Sequence, residues 1–238
     1  MAKSAALIER LNKRQKANHK QRPAEALSAA DAISALKKYK GPKFDQTVDV
    51  VMHLGIDAKQ ADQAIRGAVA LPAGIGKQKR VIAFCQSNVV KDALAAGAIK
   101  AGGEELVAEI EGGFFDFDVA VASPDMMRVI SKLGRVLGPK GLMPSPKAGT
   151  VTPDVAKAVT EYAAGKVEYR NDKFGNIHAP IGKMSFSDDK LVENLEAFVN
   201  VIAKAKPSAV KGQFIKKIAV SGTMTPSVLV APPAEAHA

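Results

Sequence analysis

The chain has 238 residues, enough for one large domain or two modest ones, and 47% of them are apolar, which excludes global disorder. Lys and Arg total 34 against 24 Asp and Glu, a net charge of +10 that points to a polyanionic partner. One cysteine excludes an intramolecular disulfide framework and any zinc site of clustered cysteines, and no stretch approaches the ~18 uninterrupted apolar residues of a membrane span.

Met1 to Arg22 carries seven basic groups against Glu9 alone, which reads as a solvated helix or arm, or as a nucleic-acid contact. Its only apolar cluster, Ala5 to Ile8, is too short for a signal-peptide core, so a soluble cytoplasmic protein is expected. Ser28 and Asp31 form a variant capping box before Ile33, Leu36 and Tyr39, one face of a helix that stops before Gly41-Pro42. Val48, Val50, Met52 and Leu54 then alternate with Thr47, Asp49, Val51 and His53. This is a strand with one buried face, in the style of an antiparallel sheet.

The middle of the chain changes character. Arg80 to Cys85 and Phe117 to Ala122 are nearly continuous apolar strands, followed by helices over Val89 to Ala96 and Met126 to Leu137. Ser123 and Pro124 suit the cap and first turn of the second helix. Strands apolar on both faces, alternating with helices, predict a small parallel sheet between helical layers. Thr152-Pro153-Asp154 starts a further helix that Gly165 stops.

Beyond Gly165 the alternating style returns. Lys166 to Arg170 and Asn176 to Ile181 predict a hairpin around Asn171-Asp172-Lys173-Phe174-Gly175. Ser187 caps a helix with Leu191, Leu195, Val199 and Ile202 inward, and Phe214 to Ser221 and Ser227 to Val230 read as strands. Ala234 to Ala238 is expected to be a frayed tail. The simplest architecture is α/β in the α+β sense. A discontinuous outer domain of residues 1–66 and 160–238 carries +8 of the charge, and an inserted α/β domain of residues 67–159 is nearly neutral at +2.

No catalytic constellation emerges. Gly74-Ile75-Gly76-Lys77 resembles the end of a phosphate loop, but Leu71 replaces the first glycine, Gln78 replaces the magnesium-binding hydroxyl, and the strand follows the loop. Gly134 through Gly141 lacks the G-x-G-x-x-G order and ends a helix, so it reads as a structured basic loop. His19, His53, His178 and His237 have no metal-ligand spacing, and Cys85 reads as core. Neither a metal nor a cofactor is expected. The rival to a binding protein is a nucleotide-dependent enzyme using the inserted domain.

The remaining glycine-proline loops, studded with lysine, carry a resemblance. Leu133 to Lys147 (Leu-Gly-Arg-Val-Leu-Gly-Pro-Lys-Gly-Leu-Met-Pro-Ser-Pro-Lys), within Val129 to Gly149, resembles the signature of the bacterial large-subunit ribosomal protein L-one family. Lys43-Phe44-Asp45-Gln46-Thr47-Val48-Asp49, Leu54-Gly55-Ile56-Asp57, Phe115-Asp116-Phe117-Asp118, and Arg170-Asn171-Asp172-Lys173 with Ile177 to Lys183 match in the same order.

That resemblance implies a two-layer α+β outer domain that binds large-subunit rRNA, with a three-layer Rossmann-like insert across a hinge. It also implies a non-catalytic protein, monomeric outside the ribosome, which assists release of exit-site tRNA and represses its own mRNA by binding a leader. Carried over by motif, the RNA-binding residues are Lys43, Phe44, Thr47 and Asp49, then Asn171, Asp172 and Lys173, then Thr223, Met224 and Thr225. Thr225 departs from the family's usual glycine, and the N-terminal helix lacks the family's Gly-Lys-Arg-Tyr opening. Strand parity alone would place Phe44 in the core with Val48 and Val50. With no Trp, three Tyr and nine Phe, selectivity is expected from a folded RNA surface rather than from stacking along a single strand.

Overall fold

The computed structural model describes residues 11–210 and 212–232. The basic residues Lys3 and Arg10, the cluster Ala5 to Ile8 and the tail Ala234 to Ala238 lie outside the described residues. In chain order the elements are α1 (Lys13–Lys20), α2 (Ala29–Lys37), β1 (Thr47–Leu54), β2 (Arg66–Val69), β3 (Val81–Phe84), α3 (Val90–Ala95), β4 (Lys100–Gly102) and α4 (Glu104–Glu111). They continue with β5 (Val119–Ala122), α5 (Met127–Ile130), α6 (Gly134–Leu137), α7 (Val155–Ala164), β6 (Val167–Arg170), β7 (Asn176–Lys183), α8 (Asp188–Lys204), β8 (Ile215–Gly222) and β9 (Val228–Val230).

The chain divides into two compact units. One holds the residues up to Ile65, the segment Leu71–Gly76 and the residues from Tyr169 onward; the other holds Arg66–Ala70 and Lys77–Glu168. A boundary at Thr160 falls inside α7, and the whole helix sides with the second unit because Val155, Ala158, Val159 and Tyr162 are buried in that unit's core.

In the first unit a sheet of order β7-β1-β8-β9 is antiparallel throughout. The alternation read from the sequence places Val48, Val50, Met52 and Leu54 at no more than 1% exposure on the inner face. Burying each such side chain contributes about 1.5–3 kcal/mol. Helices α2 and α8 cover that face, α2 through Ala32, Ile33 and Leu36, and α8 through Leu191, Leu195, Phe198, Val199 and Ile202. Two buried amides tie irregular segments to this framework. Asn18 in α1 accepts from the Lys40 N–H at 3.1 Å and donates to the Lys40 carbonyl at 3.0 Å. Asn194 in α8 accepts from the Ala73 N–H and donates to the carbonyls of Gly74 and Ile181, anchoring the Leu71–Gly76 segment.

In the second unit β4, β3 and β5 form a parallel sheet in that order, apolar on both faces as expected. Ile82, Phe84, Ala120 and Ala122 face a layer containing α4 and the segment from Met126 to Leu137. Val81, Ala83, Val119 and Val121 face a layer containing α3 and α7. Cys85 lies in the second of these cores at 1% exposure, and burial pushes its thiol pKa up, as an inert core cysteine requires.

Three local expectations are corrected. The hairpin does not form: β6 pairs with β2 and β7 pairs with β1, and the two segments meet at the turn through the bridge between Asn171 and Ile177 and the bond from the Asp172 N–H to the Asn176 carbonyl. The single helix over Met126 to Leu137 is broken into α5, a 3-10 turn at Ser131–Leu133, and α6, while keeping Ile130, Leu133 and Leu137 inward. Ser123 and Ser187 occupy N-cap positions, yet neither side chain makes a capping hydrogen bond. At α8 the charges of Asp188 and Asp189 in the first turn complement the helix dipole instead.

Candidate nucleic-acid interface

The face of the antiparallel sheet opposite α2 and α8 is lined by Thr47, Asp49, Val51 and His53 of β1, all half-buried. Pairing sets their neighbours. Thr47 lies opposite Lys183, Asp49 lies between Pro180 and Ser221, Val51 between His178 and Ala219, and His53 between Asn176 and Lys217. The result is a polar and basic surface on a rigid sheet, with the apolar side of every strand used for packing.

At the Thr47 end, three chain segments converge. The Thr223 N–H donates to the Thr47 carbonyl at 3.1 Å, and the Met224 N–H donates to Gln46 Oε1 at 2.8 Å. Lys183 Nζ donates to Thr47 Oγ1 at 2.9 Å, and Ser185 donates its N–H and hydroxyl to the Asp45 carboxylate. Gln46 is only 3% exposed, so it is an internal clamp that holds the Thr223–Met224 loop. The loop's side chains stay outside: Met224 is 48% exposed, and so is Phe44 at 52%. The parity argument for a core Phe44 fails because β1 begins only at Thr47, leaving Phe44 and the exposed Lys43 in the preceding bend.

Thr225 closes the same loop. Its hydroxyl accepts from the Gly222 N–H at 2.9 Å, and its N–H donates to the Gly222 carbonyl at 3.1 Å. A Cβ at Gly222 would meet Thr225 Oγ1 at 2.9 Å, so the small residue at 222 is what admits this contact. No described non-glycine residue has positive φ, so the backbone at Thr225 does not require glycine.

Asn171, Asp172 and Lys173 are not brought to this end. Their turn sits beyond the other end of β1, where the Leu54 N–H donates to the Gly175 carbonyl. The eight-residue β1 separates the two ends by about 24 Å. Asn171 Oδ1 accepts from the Ile65 N–H at 2.8 Å, and its Nδ2 donates to the Asp172 carbonyl. The Asp172 carboxylate accepts from the N–H groups of Phe174 and Asn176 and from Asn176 Nδ2. Those Asn176 bonds, joined by that from Phe174 and by the charge of His178, hold its pKa below the usual carboxylate value. Gly175 at φ 77° lets the turn close against the Leu54 carbonyl. Lys173 and Phe174 remain exposed at the tip, with Lys173 Nζ 5.2 Å from the Phe174 ring centre. Asn176 also bonds His53, with Oδ1 2.9 Å from Nδ1.

Midway along the face, burial raises the pKa of Asp49, against the lowering influence of the Lys183 and His178 charges. Gln46 and Lys183 are the residues that motif reasoning did not single out. Gln46 carried a signal all the same, as a polar residue within a motif immediately before an amphipathic strand.

A rigid sheet face edged by lysines, with two exposed apolar side chains beside hydroxyls and backbone groups, has the chemistry of a surface for structured RNA. Residues 36–226, most of the chain, match the model of the Ribosomal protein L1p/L10e family, and the chain belongs to that family. It is a protein of the large ribosomal subunit that binds rRNA, it is not an enzyme, and its place is the ribosome in the cytoplasm. Among the described residues no helix is long and apolar enough to cross a membrane.

Proposed function

We propose that the first unit does most of the rRNA binding and that the Thr47 end of its sheet is the centre of the contact. The observation that carries this reading is the clamped loop, in which Gln46 and Thr47 hold Thr223 and Met224 by their backbone while Met224 and nearby Phe44 stay exposed. Preorganised loops of this kind lose little entropy on binding. Thr47, Thr223 and Asp49 supply polar groups for sugar edges, and Lys43, Lys183 and Lys217 supply charge for phosphates. Lys173, at the far end of β1, is a separate outlying contact, with Asn171 and Asp172 shaping the turn that presents it.

Two further roles, which the family resemblance implies, belong to the proposal. Held on the mobile rRNA stalk, the protein guides deacylated tRNA out of the exit site. Free of the ribosome and monomeric, it represses translation of its own message by binding a leader that offers the same folded RNA surface. The test is competition: the leader RNA displaces a large-subunit rRNA stalk fragment from the protein, and substitutions at Phe44 or Met224 weaken both RNAs in parallel. Independent binding of the two RNAs would overturn the shared-site reading.

A further inference from the structure

A cleft in the second unit, its wall part polar and part apolar, is used by nothing described so far. It has a volume of about 270 Å³ and opens at the carboxyl ends of β3 and β5, with Gln86, Asn88, Ser123, Asp125, Pro153 and Val155 among its lining residues. Its position follows from the topology. From the central strand β3 the chain leads into α3, on one face of the sheet, and then to β4 on one side. It returns through α4 on the opposite face to reach β5 on the other side. The loops leaving β3 and β5 therefore diverge to opposite faces, and the crevice between them is the place where open parallel sheets take ligands.

An unmade hydrogen bond lies in the cleft wall. Ser123 Oγ is buried and has no partner, although Ser123 stands at an N-cap position where a serine hydroxyl ordinarily bonds the following turn. Nearby, Gln86 Nε2 donates to Asp125 Oδ2 at 3.3 Å, which orients that carboxylate at the rim. Asn88 and Asp125 are exposed, so their groups face solvent rather than the core.

We infer that this cleft binds a nucleobase that carries an exocyclic amine (adenine, cytosine or guanine), as a nucleoside or as an unpaired base of an RNA. The lining contains a carboxylate and no lysine or arginine, so it does not suit a phosphate. It does suit a neutral ring. The Asp125 carboxylate accepts from an exocyclic amine, the Asn88 amide offers a paired donor and acceptor to a base edge, and Pro153 and Val155 supply apolar wall. Among the RNA bases uracil has no exocyclic amine, and its carbonyls meet the carboxylate less favourably. The volume admits a nucleoside and is smaller than the usual range for larger ligands.

The proposal uses residues of the second unit alone, so it stands or falls separately from the sheet-face reading. The experiment is amide chemical-shift mapping on the intact chain, titrated with adenosine, cytidine, guanosine, uridine and adenosine monophosphate. Adenosine, cytidine and guanosine are expected to shift the amides of residues 85–89 and 123–126 at millimolar concentration. Uridine is expected to bind about tenfold more weakly, and the monophosphate no more tightly than adenosine. Asn88→Ala and Asp125→Ala, both at exposed positions, are expected to abolish the uridine discrimination without changing the melting temperature. A short unpaired oligoadenylate separates the sources: the same shifts with it identify an RNA base, and shifts with adenosine alone identify a free nucleoside. The inference is overturned by the absence of shifts at these amides, by equal binding of uridine, or by variants that bind like the parent.

Discussion

Gln46 Oε1 receives the Met224 N–H at 2.8 Å across 178 residues of sequence, and the Gln46 side chain is almost wholly buried in doing so. Gln46→Ala leaves that N–H unpaired and frees the loop. Its stability cost should be about 1 kcal/mol. The rRNA affinity should fall by more than the melting temperature suggests, because the loop then has to be ordered on binding. Filter binding and thermal melting on the same sample check this, and unchanged affinity would show that the clamp has no part in recognition.

The Asp49 carboxyl is raised by burial, so the folded state disfavours its ionised form. Stability from the protonated form is fully present below the unfolded pKa and is lost as pH rises through the raised folded value. Asp49→Asn should therefore raise the melting temperature at neutral pH, with the gain shrinking to nothing under acid conditions below the ordinary carboxylate range. A gain independent of pH would place its origin in packing rather than charge.

Phosphate contact by lysines and arginines of the first unit sets a salt dependence. With about six phosphates neutralised, log affinity should fall with log salt at a slope of roughly −4 to −5. Titration of the rRNA fragment between low and physiological salt measures it, and a slope near zero would remove the electrostatic part of the account.

Thr225→Gly tests whether the hydroxyl that closes the Gly222–Thr225 turn matters. Removing its bond to the Gly222 N–H and adding a glycine's chain entropy should together cost about 1–2 kcal/mol. Because the backbone at Thr225 has no need of positive φ, no strain is relieved in return. Thermal melting decides it, and an unchanged midpoint would show that the hydroxyl bond contributes nothing.

What the sequence disclosed was mostly local. The alternation from Thr47 to Leu54 and the apolar runs at Val81–Phe84 and Val119–Ala122 identified both kinds of sheet, since period and face are written in consecutive residues. Pairing partners are not written there. Val167–Arg170 lies close to Asn176 in the chain yet pairs with Arg66–Val69, a choice settled by long-range packing. The three residues of Lys100–Gly102 and the four of Arg66–Val69 are too short to show a period, and neither strand was foreseen, nor was the helix Glu104–Glu111. In the candidate site, motif matching gathered residues by order along the chain, whereas the sheet register separates Asn171–Lys173 from the Thr223 loop by the length of β1. Parity misplaced Phe44 because a strand's first residue cannot be read from alternation alone.

The most direct measurement is the affinity of the Thr223→Ala, Met224→Ala double variant for a large-subunit rRNA stalk fragment, set beside its melting curve. Both side chains are exposed, and alanine retains the backbone bonds that hold the loop, giving up only the long 3.4 Å bond from the Thr223 hydroxyl to the Thr47 carbonyl. The account predicts a melting temperature within about a degree of the parent and an affinity at least about tenfold weaker, the loss of roughly 1.4 kcal/mol or more of contact. Parental affinity in a folded variant would contradict it and move the rRNA site away from this end of the sheet.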